Sequence, residues 1–451
     1  MVLEPRLGPV HAEAMTSENP LEPPTEPVDG LAAREAALAL VAAALDHRGG
    51  LEEAMDRAPF DRLELRDRAL ARMIAMTLLR RLGSIDRLLT PRLRKPPPEP
   101  VLMLLRLGVV QAFYLDTPSF AAVDTTVRLA ERDTATQPFK GLINAVLRGL
   151  LRGPALPPDD PETLAPGWIF TRWCAAFGEA EARAIAAQIV QEPSTDLTLR
   201  DPGDATELAE ALEADILPGG SLRVRHRGDV AAWAGYGEGR WWVQDAAAAV
   251  PAKLLAARPD ETVLDVCAAP GGKTLQLAAT GARVVALDRS GPRLRRLAQA
   301  LDRTGLTAEV VTADIAKWSD ARRFDAVLLD APCSATGTFR RHPDVLWGSR
   351  PGDIAKLAGV QSRLLDAAAA RVSPGGRLIY CVCSLEPEEG EAQIEGFLRR
   401  HDEFQVSPIL PGEGGAPDAA VTPAGLLRIL PHQREGGLDG FFAARLLRRE
   451  L

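Results

Sequence analysis

The stretch Val263-Leu-Asp-Val-Cys-Ala-Ala-Pro-Gly-Gly-Lys-Thr274 decides the fold of this chain. Its apolar start is typical of a buried strand, and the row of small residues that follows ends this strand. The sequence at 270–272 predicts a tight turn, and helical spacing resumes over 273–280. Such a unit places backbone N–H groups and a helix N-terminus beside an open crevice.

Three kinds of site use a strand, a turn and a helix of this sort. A dinucleotide site has the pattern G-x-G-x-x-G, which this stretch lacks. A phosphate-binding loop has G-x-x-x-x-G-K-[ST], but only its end, Gly272-Lys273-Thr274, is present. S-adenosylmethionine needs a turn of small residues and an acidic ribose ligand. Asp288 ends the next apolar run and suits that ligand, so the sequence favours S-adenosylmethionine over an ordinary strand-turn-helix.

The composition describes a globular chain with a slight excess of acidic residues. It has 451 residues, 46% of them hydrophobic, and a formal net charge of −8, so any nucleic-acid surface must be a local patch. Five widely spaced cysteines indicate reduced thiols. Because neither a signal segment nor a long apolar run is present, we expect a cytoplasmic protein that does not bind membranes.

Changes in composition divide the chain into five segments. Residues 1–28 are proline-rich and are expected to be a disordered leader, whereas 29–152 repeat the helical period and predict an all-helical domain. Residues 153–166 predict a linker, and 167–243 predict a helix followed by a small α+β subdomain. Strands and helices alternate over 244–451, which predicts an α/β domain with a doubly wound, Rossmann-like sheet.

Two thiols and one carboxylate follow strands of this predicted sheet. Asp330 ends an apolar run, and Pro332 prevents the strand from continuing before Cys333. Cys383 ends a later strand, on which period-2 alternation places Cys381 on the same face. Ligands of a doubly wound sheet bind beyond the carboxyl ends of its strands, so we expect these groups to meet beside the methyl donor.

Thiols, a carboxylate and a methyl donor fit the methylation of carbon 5 of a pyrimidine. That carbon is a poor nucleophile until a thiolate adds to carbon 6 and makes the ring enamine-like. A base then removes the carbon-5 proton and the thiol leaves. The attacking thiol needs local positive potential, since roughly 3% of an unperturbed thiol is ionised at pH 7. A carboxyl group at nitrogen 3 would stabilise the developing charge.

Other interpretations of the cysteines stay open at this point. A buried cysteine is commonly a small hydrophobic residue, which suits Cys267 and Cys381. Convergence of Cys267, Cys333, Cys381 and Cys383 on zinc is a further alternative. The Cys-x-Cys spacing is poor for a structural zinc site and no C-x-x-C pair is present, so we expect no metal.

The sequence motifs resemble those of the bacterial ribosomal RNA small-subunit methyltransferase B family (Sun/Fmu type), which are RNA cytosine-5 methyltransferases. The resemblance rests on Asp265-Val-Cys-Ala-Ala-Pro-Gly-Gly-Lys-Thr274, Asp330-Ala-Pro-Cys-Ser-Ala-Thr-Gly337 and the strand end Cys383-Ser384. Phe139-Lys-Gly-Leu-Ile-Asn-Ala-Val-Leu-Arg148 is similar to the last helix of a NusB-type domain. The resemblance implies an S-adenosylmethionine-dependent methyltransferase core preceded by a NusB-like, all-α RNA-binding domain.

The resemblance also implies roles for individual residues. Cys383 would be the nucleophile, Cys333 would assist product release, and Asp330 would be the acid at the base ring. The family commonly has Ala-Thr-Cys-Ser where this chain has Cys381-Val382-Cys383-Ser384, so Cys381 is an alternative nucleophile, although the strand register favours Cys383. The residues implied to line the cofactor are Cys267, Ala268, Ala269, Pro270, Gly271, Gly272, Lys273, Asp288, Arg293, Asp314 and Asp330.

The expected partner is RNA, and the resemblance implies 16S ribosomal RNA. Arg340, Arg341 and His342 follow the Cys333 loop and are predicted to hold the RNA backbone, with a plain surface cluster as the alternative. A run of basic residues at 62–95 and the subdomain at 195–243 are further candidates. We expect a monomer. The alternatives are a transfer RNA cytosine-5 methyltransferase and an RNA-binding assembly or antitermination factor with an inactive core.

Overall fold

The computed structural model describes residues 30–46, 50–226 and 228–450. The expected leader at 1–28 lies outside these residues. Within the described residues, no helix has both the length and the apolar character needed to cross a membrane.

The first part of the chain is a bundle of helices packed around their alanine- and leucine-rich faces. Leu40, Leu78 and Leu105 are fully buried between these helices, as the helical period of the sequence predicts. The helices are α1 Leu31–Leu45, α2 Gly50–Met55, α3 Leu65–Arg80, α4 Leu82–Leu89, α5 Glu99–Phe113, α6 Ser119–Glu131 and α7 Lys140–Leu151.

A second unit with its own small sheet connects the bundle to the rest of the chain. The segment expected to be a linker contains a short helix, which begins where the Asp160 side chain accepts a hydrogen bond from the backbone N–H of Glu162. The helices are α8 Pro161–Leu164, α9 Gly167–Phe177, α10 Glu179–Ala187 and α11 Ala205–Ala211. The strands, β1 Thr195–Leu199, β2 Ala214–Ile216, β3 Leu222–Val224 and β4 Trp241–Val243, form an antiparallel sheet in the order β2-β3-β1-β4.

An eight-stranded sheet with helices on its faces forms the last part of the described chain. Its strands are β5 Thr262–Val266, β6 Arg283–Asp288, β7 Glu309–Thr312, β8 Phe324–Asp330, β9 Val372–Val382, β10 Phe404–Val406, β11 Leu427–Ile429 and β12 Phe441–Arg448. The accompanying helices are α12 Ala246–Leu255, α13 Gly272–Ala279, α14 Gly291–Thr304, α15 Asp344–Gly348, α16 Pro351–Ala369 and α17 Glu391–Arg400. This architecture confirms the predicted Rossmann-like α/β fold.

The strand order β10-β12-β9-β8-β5-β6-β7 creates a switch point between β5 and β8. From β5 the chain first builds β6 and β7 on one side, and then returns to build β8 and β9 on the other. These five strands are parallel, so their carboxyl ends open a crevice at one edge of the sheet. The register of β8 and β9 places Asp330 directly beside Cys381.

Arg80, at the end of α3, joins the helical bundle to the other two parts of the chain. Its guanidinium is buried and donates to the carbonyl oxygens of Ile189 at 2.9 Å, Gln191 at 3.3 Å and Arg340 at 2.5 Å. Burial lowers the pKa of Arg80 to about 10, which still leaves this side chain charged at neutral pH.

The segment 340–348, which follows the Cys333 loop, rests against the bundle. The indole N–H of Trp347 donates to the Leu79 carbonyl at 3.0 Å, and the Asp344 carboxylate accepts from the Leu51 N–H at 3.2 Å. The bundle therefore packs directly against the part of the chain that leads away from Cys333.

Replacing Arg80 by methionine should destabilise the protein by about 2–3 kcal/mol, because three buried carbonyl oxygens lose their charged donor. The midpoint of thermal unfolding measures this effect. Arg87→Met is the matched control, since Arg87 is more than half exposed and its ion pair with Asp160 should contribute less than about 1 kcal/mol. Equal midpoints for the two variants would contradict the role given to Arg80.

Candidate functional site

A cavity of about 350 Å³ lies at the switch point of the large sheet. The ends of β5, β6 and β8 and the residues after them form its wall. The predicted site residues among those that line it are Cys267, Ala269, Asp288, Arg293, Asp314, Asp330, Cys333 and Cys383. The other predicted cofactor residues, which do not line it, are Ala268, Pro270, Gly271, Gly272 and Lys273.

The turn after β5 is tight enough to require small residues. Cys267 has a φ of 62° and Gly271 a φ of 119°, and both values lie in the left-handed region. A Cβ added at Gly271 would lie 2.4 Å from the Leu297 Cδ1 atom, so a side chain there would push α14 away. The sequence therefore predicts this turn correctly, although several of its residues support the cavity from behind.

Asp288 closes the far side of the turn. Its carboxylate accepts hydrogen bonds from the N–H of Ala269 at 3.2 Å and from the N–H of Ser290 at 2.8 Å. The Arg293 guanidinium donates to the Ala269 carbonyl and lies 3.8 Å from the Asp288 carboxylate. The carboxylate oxygens keep free lone pairs toward the cavity, which fits an acidic ligand for ribose hydroxyls.

Cys333 and Cys383 meet at the rim of the cavity, where their sulfur atoms are 3.5 Å apart. Both residues are partly exposed, and the Gly337 N–H donates to the Cys383 carbonyl at 3.1 Å, which folds the loop back onto the strand end. The hydrogen bond with the Cys383 thiol, together with burial, raises the pKa of Cys333 well above its ordinary value. Cys333 thus retains its proton at neutral pH.

Asp330 forms a partly buried ion pair with Lys273. The distance between Lys273 Nζ and Asp330 Oδ2 is 2.8 Å, and the ammonium also lies 5.1 Å from the centre of the Phe441 ring. Burial opposes the charge on Lys273, but the Asp330 carboxylate outweighs it and raises the pKa of the lysine. The sequence analysis predicted that Lys273 contacts the cofactor and did not predict its ion pair with Asp330. No motif near Lys273 in the sequence indicates that pairing.

Cys381 lies beneath the rim rather than on it. It is fully buried, and its thiol is 3.6 Å from the Asp330 Oδ1 atom, to which it donates. Burial, with a smaller effect of Asp330, raises the pKa of Cys381 well above its ordinary value, and burial raises the pKa of Cys267 to about 12. Both thiols stay protonated at neutral pH, so the geometry favours Cys383 over Cys381 as the nucleophile.

The structure places two of the three predicted RNA-binding residues in internal contacts. Arg340 is 1% exposed and donates to the Gly436 carbonyl at 2.6 Å, while Arg341 donates to the Asp245 carboxylate at 2.7 Å. This burial contradicts the predicted contact of Arg340 with RNA, and Arg341 is held by an internal acid. His342 is about two-fifths exposed and remains a prediction.

Comparison with known proteins identifies the family. A family model described as 16S rRNA methyltransferase RsmB/F matches residues 252–447, and one described as NusB family matches residues 31–152. Ribosomal RNA small subunit methyltransferase B of Sodalis glossinidius is 38% identical over 86% of this chain and 91% of that protein. The chain belongs to the ribosomal RNA small subunit methyltransferase B family. Its relative from Pseudomonas syringae pv. tomato is 36% identical over 92% of this chain and 96% of that protein.

Solved structures share the fold of this chain. The crystal structure of PH0851 has a TM-score of 0.72 and 26% identity, and covers 94% of this chain and 99% of that one. The structure of NSun6 from Pyrococcus horikoshii with SFG has a TM-score of 0.55 and 19% identity, covers 63% of this chain and 99% of that one, and shows the fold alone. This member of the family is an S-adenosylmethionine-dependent ribosomal RNA methyltransferase.

Proposed function

We propose that this methyltransferase transfers the methyl group of S-adenosylmethionine to carbon 5 of a cytosine in 16S ribosomal RNA. The observation that carries the proposal is the pair of rim thiols, 3.5 Å apart, beside a carboxylate on the wall of the cofactor cavity. A cytosine that leaves its stack can present carbons 5 and 6 to these groups.

Cys383 is the nucleophile in this proposal. Its thiolate bonds to carbon 6, and the electron pair of the carbon 5–carbon 6 double bond takes the methyl group of the cofactor. The Lys273 ammonium, held by Asp330 beside the end of β9, provides the positive potential that the thiolate needs. Asp330, held by Lys273 on one oxygen and Cys381 on the other, is placed to stabilise nitrogen 3 of the ring.

Cys333 completes the reaction. The hydrogen bond to Cys383 is the largest of the effects that raise the pKa of Cys333. When Cys383 becomes bonded to carbon 6, that hydrogen bond is lost and the pKa of Cys333 falls. Cys333, which is partly exposed, then gives its own proton to solvent and becomes a thiolate. This thiolate takes the carbon-5 proton, the double bond re-forms and Cys383 leaves as a thiolate.

We propose 16S ribosomal RNA as the substrate because the curated relatives carry the name of a small-subunit ribosomal RNA methyltransferase and the chain has a NusB-like domain. The cavity and both rim thiols come from one chain, which supports a monomeric enzyme. All five cysteines are free thiols, which suits the reducing cytoplasm.

Cys333→Ser is expected to trap a covalent protein–RNA complex, because the adduct forms through Cys383 but is released about 10²-fold more slowly. Denaturing gel electrophoresis after incubation with the cofactor and 16S RNA measures the trapped complex. Cys174→Ser, in α9, is the matched control and should trap no more RNA than the unaltered protein. Absence of a complex with Cys333→Ser, or trapping of transfer RNA alone, would contradict the proposal.

A further inference from the structure

A buried carboxylate, Glu389, lies behind the two rim thiols. Its side chain is 0% exposed. Among the described residues, no basic side chain forms an ion pair of 4.0 Å or less with it. Burial of a carboxylate lowers the stability of a protein unless hydrogen bonds satisfy its oxygens. The hydrogen-bond donors around Glu389 therefore indicate its role.

Three of the four hydrogen bonds to the carboxylate come from the residues that directly follow the two thiols, and the fourth comes from Gln361 on α16. Glu389 Oε2 accepts from the Ser384 hydroxyl at 2.5 Å and from the Ser334 hydroxyl at 2.5 Å. Glu389 Oε1 accepts from the Ser334 backbone N–H at 2.9 Å and from the Gln361 amide at 3.1 Å. The same Gln361 amide donates to the carbonyl of Pro332, the residue before Cys333, at 3.0 Å.

The backbone of Glu389 is fixed as well. Its carbonyl oxygen accepts from the Tyr380 hydroxyl at 2.6 Å, and Tyr380 lies on β9 three residues before Cys383. One carboxylate therefore connects the Cys333 loop to the end of β9 by short hydrogen bonds. Neither thiol is hydrogen-bonded to Glu389, so the carboxylate acts on the positions of the thiols through the backbone, and its charge adds to the effects that raise the pKa of Cys333.

We propose that Glu389 is a positioning residue that holds the Cys333 and Cys383 sulfur atoms at the separation needed to act on one base. The inference rests on the proposed two-thiol function. The Cys333 loop depends on it most, because Ser334 contributes two of the four hydrogen bonds to the carboxylate. Loss of Glu389 should leave the attack by Cys383 largely intact and slow the release step, which needs Cys333.

The first measurement uses phenylarsine oxide, which binds two neighbouring thiols at once with the loss of one water. The unaltered protein should hold one equivalent against excess monothiol, and Cys333→Ser should hold none. Glu389→Ala should bind the reagent about tenfold or more weakly, since a shift of about 1 Å disrupts a two-point site. Glu389→Gln should stay within about threefold, because its amide oxygen still accepts from Ser334 and Gln361.

The second measurement separates attack from release with RNA and cofactor present. Glu389→Ala should trap covalent RNA as Cys333→Ser does and lower kcat about 10²-fold, and Glu389→Gln should recover most of the turnover. Ser334→Ala is a second variant, for use if Glu389→Ala does not fold. It keeps the backbone hydrogen bond to Glu389, so it should show a weaker form of the same defect. Glu388→Gln is the matched control, since that side chain is half exposed and pairs with Arg172.

The outcomes distinguish the two proposals. If Cys333→Ser traps no RNA, the proposed function fails whatever the arsenical binding shows. If Cys333→Ser traps RNA but Glu389→Ala and Ser334→Ala behave like Glu388→Gln in both measurements, the function stands and the positioning role of Glu389 is wrong.

Discussion

Cys383→Ala is expected to lower methyl transfer on the order of 10⁴-fold or more and to abolish covalent capture of RNA, because no other thiol takes its place. Cys333 lies on a different loop, with its sulfur 3.5 Å from that of Cys383, and the fully buried Cys381 donates to Asp330. A labelled-methyl assay on 16S RNA, read beside denaturing gels, measures both losses.

Cys381→Ala is the matched variant for this experiment. It removes one donor from Asp330 and leaves the rim unchanged, so we expect a loss of about tenfold or less, with capture retained. If capture survives in Cys383→Ala and disappears in Cys381→Ala, the assignment of the nucleophile is reversed.

Asp330→Asn should lower both the stability of the protein and the rate of methyl transfer. The uncompensated charge of the largely buried Lys273 should destabilise the protein by about 2–3 kcal/mol, less than a fully buried pair would, because Asp330 is partly exposed. The loss of the carboxylate beside the base should lower kcat at saturating cofactor by about 10²–10³-fold. Urea unfolding measures the first effect and the labelled-methyl assay the second.

A double variant separates these two effects. Combining Asp330→Asn with Lys273→Met removes the uncompensated charge and should recover most of the lost stability, while the methyl transfer stays as low as in the single variant. Recovery of activity together with stability would show that Asp330 acts only through folding, and would contradict its role at the base.

The sequence predicts the parts of the site that local pattern controls. The turn after β5 follows from its glycines and small residues, and the meeting of Cys333 with Cys383 follows from the ends of neighbouring parallel strands. The partner of Lys273 was not predictable, because Asp330 lies 57 residues further along the chain. No periodicity or motif encodes which acid a lysine meets across such a separation.

Arg340 and Glu389 are a basic and an acidic residue whose burial the sequence does not predict. A basic residue after a catalytic loop is typical of an RNA contact, but Arg340 is drawn inward by the Gly436 carbonyl, 96 residues away. Glu389 stands in an acidic, polar segment, yet it is fully buried and accepts hydrogen bonds from the Cys333 loop and from the residue after Cys383. Tertiary contacts decided both positions.

The packing of the segment 340–348 against the helical bundle limits how this enzyme can be re-engineered. Arg80 and Leu79, at the end of α3, directly hold Arg340 and Trp347, downstream of the Cys333 loop. A chimera that grafts the catalytic sheet onto a foreign RNA-recognition module would leave these residues without their support. Retargeting the enzyme to a new transcript therefore calls for transplanting α3 together with the sheet.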